Sequence, residues 1–160
     1  MSLAGKVAIV TGSGRGLGLA YARELARQGA AVVINDVDES VAAEAVRTIE
    51  ADGGRAVAVV APVGSSEVAK QLVQTAVAEF GRLDILVTNA GILRDKSLLK
   101  MTDDDFDAVI NVHLRGTFTC AREAFGYFKE NQIPGRIITI GSPTGQRGNF
   151  GQTNYAAAKA

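Results

Sequence analysis

Tyr155 and Lys159 stand four residues apart in "TNYAAAKA", a spacing that stacks two side chains on one face of a helix. The pair sets a phenol, which can give or take a proton, beside a fixed cation that favours the ionised phenol. Ser142 lies thirteen residues earlier, at the end of an apolar run. The glycines of "GSPTGQRGNFGQTNY" allow the intervening loop to fold back until hydroxyl and phenol meet at one carbonyl oxygen. Moving a proton to a carbonyl, or from an alcohol, is the chemistry such a group performs. Where that step is part of a reduction or an oxidation, a hydride carrier must sit beside it.

The first part of the chain offers a place for that carrier. "TGSGRGLG", Thr11 to Gly18, follows an apolar run and opens a helical one. Gly12, Gly16 and Gly18 leave room for a tight turn and for backbone to approach a pyrophosphate, and Leu17 begins the helix whose N-terminus favours the negative charge. Asp36 ends the next apolar run, about 20 residues beyond the loop. A carboxylate there can accept both ribose hydroxyls and repel a 2′-phosphate, which favours NAD; Arg15 inside the loop can reach a phosphate, which keeps NADP open. In "TNAG", Asn89 can tie strand ends together, and Ala90 and Gly91 can bring backbone close to a cofactor. Each motif alone also fits an ordinary turn or helix start. Their order along the chain joins them.

The elements that must position these residues alternate. Apolar runs at Lys6–Val10, Ala30–Asn35, Arg55–Val60, Asp84–Thr88 and Arg136–Ile140 are unbroken, as parallel strands buried on both faces require. Helical spacing fills Leu17–Gln28, Glu39–Ala51 and Glu67–Phe80, with Asp38 and Ser66 as N-caps and Gly29 and Gly81 as stops. Met101–Lys129 reads as a longer helical region started by Thr102 and Asp105 and interrupted at Gly116. Strand, helix, strand in repetition predicts an α/β chain with a Rossmann-type doubly wound parallel sheet. No linker or repeat divides residues 1–160, so one dinucleotide-binding domain is expected.

Composition narrows the partners. Seventeen basic and seventeen acidic side chains cancel, and no basic block points to nucleic acid. No run of about 18 apolar residues exists to span a bilayer, and "MSLAGKVAIV" lacks the regions of a signal peptide. A cytoplasmic address is expected. One cysteine and one histidine leave no cysteine cluster, and no metal site is expected.

Taken together, "TGSGRGLG", "TNAG", Ser142, Tyr155 and Lys159 resemble the short-chain dehydrogenase/reductase family from Lys6 to the last residue. The resemblance implies that Tyr155 is the general acid/base, Ser142 orients the substrate carbonyl, and Lys159 holds the nicotinamide ribose and eases ionisation of the tyrosine. Tyr155 and Lys159 then also touch the cofactor. Two positions depart from the family pattern. His113, in "VHLRG", stands where an asparagine usually holds a water in the proton relay, and either a proton-carrying or a structural histidine fits there. Pro62 replaces a common adenine-contacting aspartate, which leaves backbone contacts near Val63. "NAGILRDKSLLKMTDDDFDAVINVHLRGTF" is most similar to 3-oxoacyl-carrier-protein reductases and hydroxyacyl-CoA dehydrogenases, implying an acyl-CoA or acyl carrier protein thioester and a homo-oligomer. A sugar, steroid or other secondary alcohol is the alternative substrate, and a nucleotide-binding module without turnover is the alternative class. Family members continue past the lysine with two more strands and much of the substrate pocket. A truncated domain is therefore expected, with a short final helix that frays and the Arg136–Ile140 strand left as an open sheet edge.

Overall fold

The computed structural model describes residues 2–160. Its five strands are β1 (Val7–Val10), β2 (Ala31–Asp36), β3 (Arg55–Val60), β4 (Ile85–Thr88) and β5 (Arg136–Thr139). They form one parallel sheet in the order β3-β2-β1-β4-β5. The apolar runs thus mark every strand, and in β1, β2 and β4 consecutive side chains are buried because helices cover both faces. In β1, Val7 and Ile9 enter one core while Ala8 and Val10 enter the other.

Helices α1 (Gly16–Arg27) and α2 (Glu39–Ala51) cover one face, and α3 (Ser66–Phe80) and α5 (Gly116–Glu130) the other. The first face is closed by small residues, with Ala22 and Ala26 of α1 and Ala42 and Ala45 of α2 set against Val32 and Ile34. The second is bulkier and packs Leu72, Leu83, Leu86, Ala124 and Phe128 around Val33. Asp38 caps α2 through the N–H groups of Ser40 and Val41 at 2.9 and 3.2 Å. Ser65, rather than the expected Ser66, caps α3, accepting from the Val68 N–H at 3.2 Å. Its extended backbone suits a cap, whereas Ser66 has already turned into the helix. Gly81 ends α3 with a φ of 82°, which a side chain would strain.

The expected long helix is two. α4 (Asp103–Ile110) starts with reciprocal bonds between Thr102 and Asp105, and a π-helical segment, Asn111–Arg115, carries the chain into α5. The widened turn therefore precedes Gly116 instead of breaking at it. Gly116 has another use, since a Cβ there would sit 2.9 Å from Val63 Cγ2. Two short helices follow β5: α6 (Pro143–Arg147) and α7 (Thr153–Lys159), packed against each other, with α7 also against α4. No helix among the described residues is long and apolar enough to cross a membrane.

β5 is the open edge, with Arg136, Ile138 and Thr139 exposed. Interior β4 and edge β5 thus differ sharply in burial, and substitutions should report it. Leu86→Ala in β4, where the side chain is 1% exposed, is expected to lower the free energy of unfolding by about 2–5 kcal/mol. Ile138→Ala in β5, 47% exposed, should cost less than about 1 kcal/mol. Urea denaturation of the two variants measures both.

Candidate active site

The order of strands reverses between β1 and β4, and their carboxyl ends are bound to each other there. Thr11 Oγ1 accepts the N–H groups of Asn89 and Ala90, both at 3.0 Å. Asn89 Nδ2 returns two bonds, to the carbonyls of Thr11 and Gly12, also at 3.0 Å. Asn89 therefore ties strand ends, as its position after β4 predicts. The backbones then approach so closely that a Cβ on Gly12 would sit 2.7 Å from Ala90 Cα. A Cβ on Gly18 would collide with the Gly12 carbonyl and the Asn89 amide. Gly16, with φ of 59°, has nothing within 4 Å of where a side chain would start, so the start of α1 faces open space.

A second set of bonds holds the other side of the loop. Ser13 Oγ donates to the Val10 carbonyl at 2.6 Å and accepts the Asn35 N–H at 3.1 Å. Asn35 Nδ2 reaches the carbonyls of Val59 and Ala61 at 3.1 and 2.9 Å. The Asp36 carboxylate accepts the N–H groups of Gly14, Val37 and Asp38 at 3.2, 2.8 and 3.3 Å, which fixes it at the end of β2. Arg15 is exposed, and its charge lies close enough to help Ser40 and Val41 hold the Asp38 carboxyl below its usual range. Thr11, Ser13 and Asn35 were not singled out by sequence reading. Polar residues at the ends of buried strands were the available signal.

A cleft of about 520 Å³ opens over these strand ends. Its wall includes Gly12, Arg15, Leu17, Gly18, Asp36, Val63, Asn89, Ala90 and Gly91, together with His113, Tyr155 and Lys159. Two sets of residues far apart in sequence thus share one cavity. Ser142 does not line it. Half-buried, Ser142 caps α6 by accepting the Thr144 N–H at 3.2 Å, which leaves its own hydroxyl hydrogen unspent.

α7 carries Tyr155 and Lys159 on one face, with the Lys159 Nζ 5.9 Å from the centre of the Tyr155 ring. Lys159 Nζ donates to the Ile140 carbonyl at 2.5 Å, and burial pushes its pKa below the usual lysine value. The His113 ring meets that of Tyr155 edge-on, with centroids 5.1 Å apart. His113 is buried, and its Nε2 lies 3.1 Å from the Ile92 N–H nitrogen and 2.8 Å from the Ile92 carbonyl oxygen. One ring nitrogen serves only one of the two at a time, according to tautomer. Nδ1 is buried without a protein partner among the described residues. Gly91 has its reason here, because any Cβ would run into the His113 ring.

Open backbone at Gly16, an uncapped α1 N-terminus among the described residues and a fixed carboxylate at the end of β2 fit a dinucleotide. Sheet order and cleft position define a Rossmann-type protein. The chain belongs to the short chain dehydrogenase family, matching it over residues 6–160. It is 47% identical over 160 residues to a 3-oxoacyl-[acyl-carrier-protein] reductase from Synechocystis sp., covering 99% of this chain and 64% of the relative. It is 45% identical over 170 residues to a hydroxyacyl-CoA dehydrogenase from Mycobacterium tuberculosis, covering 99% and 53%. The crystal structure of a short chain dehydrogenase from Mycobacterium avium superposes with a TM-score of 0.95 at 42% identity, covering 99% of this chain and 60% of that one. The chain spans between 18% and 64% of the length of such curated relatives.

Burial, the backbone of Ile92 and the charge of Lys159 all act on His113, and burial dominates in holding its pKa below the ordinary 6.5. A depressed value means that the unfolded chain takes up this proton first as pH falls. The stability contributed by neutral His113 is therefore complete above 6.5 and is lost as pH drops through the folded value. His113→Asn removes this titration. Melting temperatures measured from about pH 7.5 to about pH 5 should fall less steeply for the variant than for the wild type.

Proposed function

We propose that the protein is an oxidoreductase that moves a hydride between NAD(P) and a 3-oxoacyl or 3-hydroxyacyl thioester, with residues 1–160 forming its nucleotide-binding and proton-transferring part. The observation that carries this reading is the convergence of the glycine loop, Asp36, Tyr155 and Lys159 on one cleft. A nicotinamide cofactor, when bound, supplies or takes the hydride. The start of α1 would hold the pyrophosphate, Asp36 the adenosine ribose, and Asn89, Ala90 and Gly91 the strand-end wall beside the nicotinamide half. Val63 would contact the adenine side through backbone.

In reduction Tyr155 delivers its phenolic proton to the carbonyl oxygen; in oxidation it removes that proton from the alcohol. Ser142, outside the cleft lining as it caps α6, would have to turn its free hydroxyl hydrogen inward to reach the same oxygen as negative charge develops there. Lys159, tethered to the Ile140 carbonyl, stands beside the phenol on the same helix face and would hold the nicotinamide ribose. His113, with Nδ1 free of protein partners among the described residues, is suited to hold a water behind the phenol.

The thioester class rests on the printed names of the Synechocystis and Mycobacterium tuberculosis relatives. A fixed Asp36 carboxylate favours NAD over NADP. Homo-oligomer assembly belongs to the same reading, since Leu114, Phe118 and Phe125 stand exposed and offer apolar surface for a second copy to cover. So does the cytoplasmic address drawn from composition.

The test is an assay of the protein encoded by the complete reading frame, using an acetoacetyl thioester with NADH and with NADPH. Turnover is expected. Nucleotide binding without turnover would instead support a non-catalytic module, and turnover of a sugar or steroid alone would replace the substrate class. Tyr155→Phe should lower kcat by about 10²–10⁴-fold while NADH still binds, as read by cofactor fluorescence. Asp36→Ala should raise the NADPH-to-NADH ratio of kcat/KM by about tenfold or more, the factor worth 1.4 kcal/mol.

A further inference from the structure

The residue before Tyr155 is a fully buried amide. Asn154 is 0% exposed, and each of its hydrogen-bonding groups is engaged. Its Oδ1 accepts the Tyr155 N–H at 2.8 Å. Its Nδ2 donates to the carbonyls of Arg94 at 3.1 Å and Asp105 at 3.0 Å, across 60 and 49 residues of chain. Arg94 lies in the loop after β4, and Asp105 in the first turn of α4.

Further bonds hold these carbonyls where Asn154 needs them. Lys96 Nζ pairs with the Asp105 carboxylate at 2.7 Å, and Thr102 Oγ1 donates to the same oxygen at 2.8 Å. Together they hold the Asp105 carboxyl at about 2, far down its range. The Lys96 N–H also donates to the Gly151 carbonyl at 2.9 Å, and Gln152 Nε2 to Asp95 at 2.9 Å. The 94–96 segment is thus a strap fastened to α4 on one side and to the entrance of α7 on the other.

α7 has seven residues and no side-chain bond from its own N-cap, Gln152. The bonds that hold its first turn come from outside it. We infer that Asn154 is a positioning residue for the reaction, setting the depth and rotation of the Tyr155 phenol by pinning the first turn of α7 to the Arg94 and Asp105 carbonyls. The inference rests on the reading of Tyr155 as the acid/base. α4 then locates Tyr155 twice. It binds Asn154 through Asp105 at its start, and its π-helical continuation sets His113 against the Tyr155 ring.

Two substitutions separate positioning from simple capping. Asn154→Asp keeps an acceptor for the Tyr155 N–H, loses both donors and turns an oxygen toward two carbonyls. Asn154→Ala loses all three bonds. If Asn154 only capped the helix, aspartate would serve as well as asparagine. For a positioning residue, both variants of the full-length protein should lose about 10- to 100-fold in kcat, with KM for NADH nearly unchanged. Amide hydrogen exchange should quicken in α7 and stay unchanged in β1 and β4. Should the aspartate variant not fold, Asn154→Ser keeps a small acceptor and carries the same expectation. A wild-type kcat in Asn154→Asp or Asn154→Ser, or a loss of kcat without faster exchange in α7, overturns the inference. Tyr155→Phe run alongside keeps the two readings apart: its retained turnover would remove the acid/base role, whereas its inactivity beside unaffected Asn154 variants removes only the positioning role.

Discussion

The reciprocal bonding of Thr11 with Asn89 and Ala90 is the constraint on which the rest of the cleft depends. It sits where β1 and β4 diverge in the strand order, the one place in an open parallel sheet where two crossovers leave in opposite directions and expose strand ends. Four hydrogen bonds close that gap. The resulting separation brings Gly12 against Ala90 and Gly18 against the Gly12 carbonyl, so neither glycine has room for a side chain. The glycines of this loop are therefore required first by the protein's own packing. Gly16 alone of the three has open space where a side chain would start.

The cleft has a second wall built on a different principle. Its first wall is sheet and loop backbone, held by bonds between strand ends. The second hangs on side chains: Lys159 on the Ile140 carbonyl, His113 on the Ile92 backbone, Asn154 on Arg94 and Asp105. Each of these reaches the stretch between β4 and α4 or the end of β5. A wall held by single side chains is easier to displace than one held by a ladder of strands, and it is the wall that holds Tyr155 and Lys159.

The sequence makes the first wall legible and hides much of the second. Continuous apolar runs located all five strands to within a residue or so at their ends; in β1, β2 and β4 burial on both faces leaves no alternation to misread. Glycine spacing and Asp36 stood at the expected strand and helix ends for the same reason: the motif is local. Ser65 was displaced by one residue because "SS" offers two equal hydroxyls, and only backbone conformation decides which caps. The π-helical turn at Asn111–Arg115 was not visible, since its hydrogen-bond slip is set by what packs against it, Val63 under Gly116 and Ile92 under His113. α6 had a signal, a serine cap followed by proline at the first helical position, that glycine-rich surroundings masked. Asn154 had none, because its partners lie 49 and 60 residues away.

The turn that carries Tyr155 and Lys159 shows what such distant partners add to a local element. Here the first turn is held from outside by a buried amide, and the last turn by a lysine whose ammonium is bonded to a strand-end carbonyl. Those are the two ends of the Tyr155–Lys159 turn, so it is held at both. A buried amide immediately before Tyr155 thus ties that turn to two backbone carbonyls that no local pattern could have supplied.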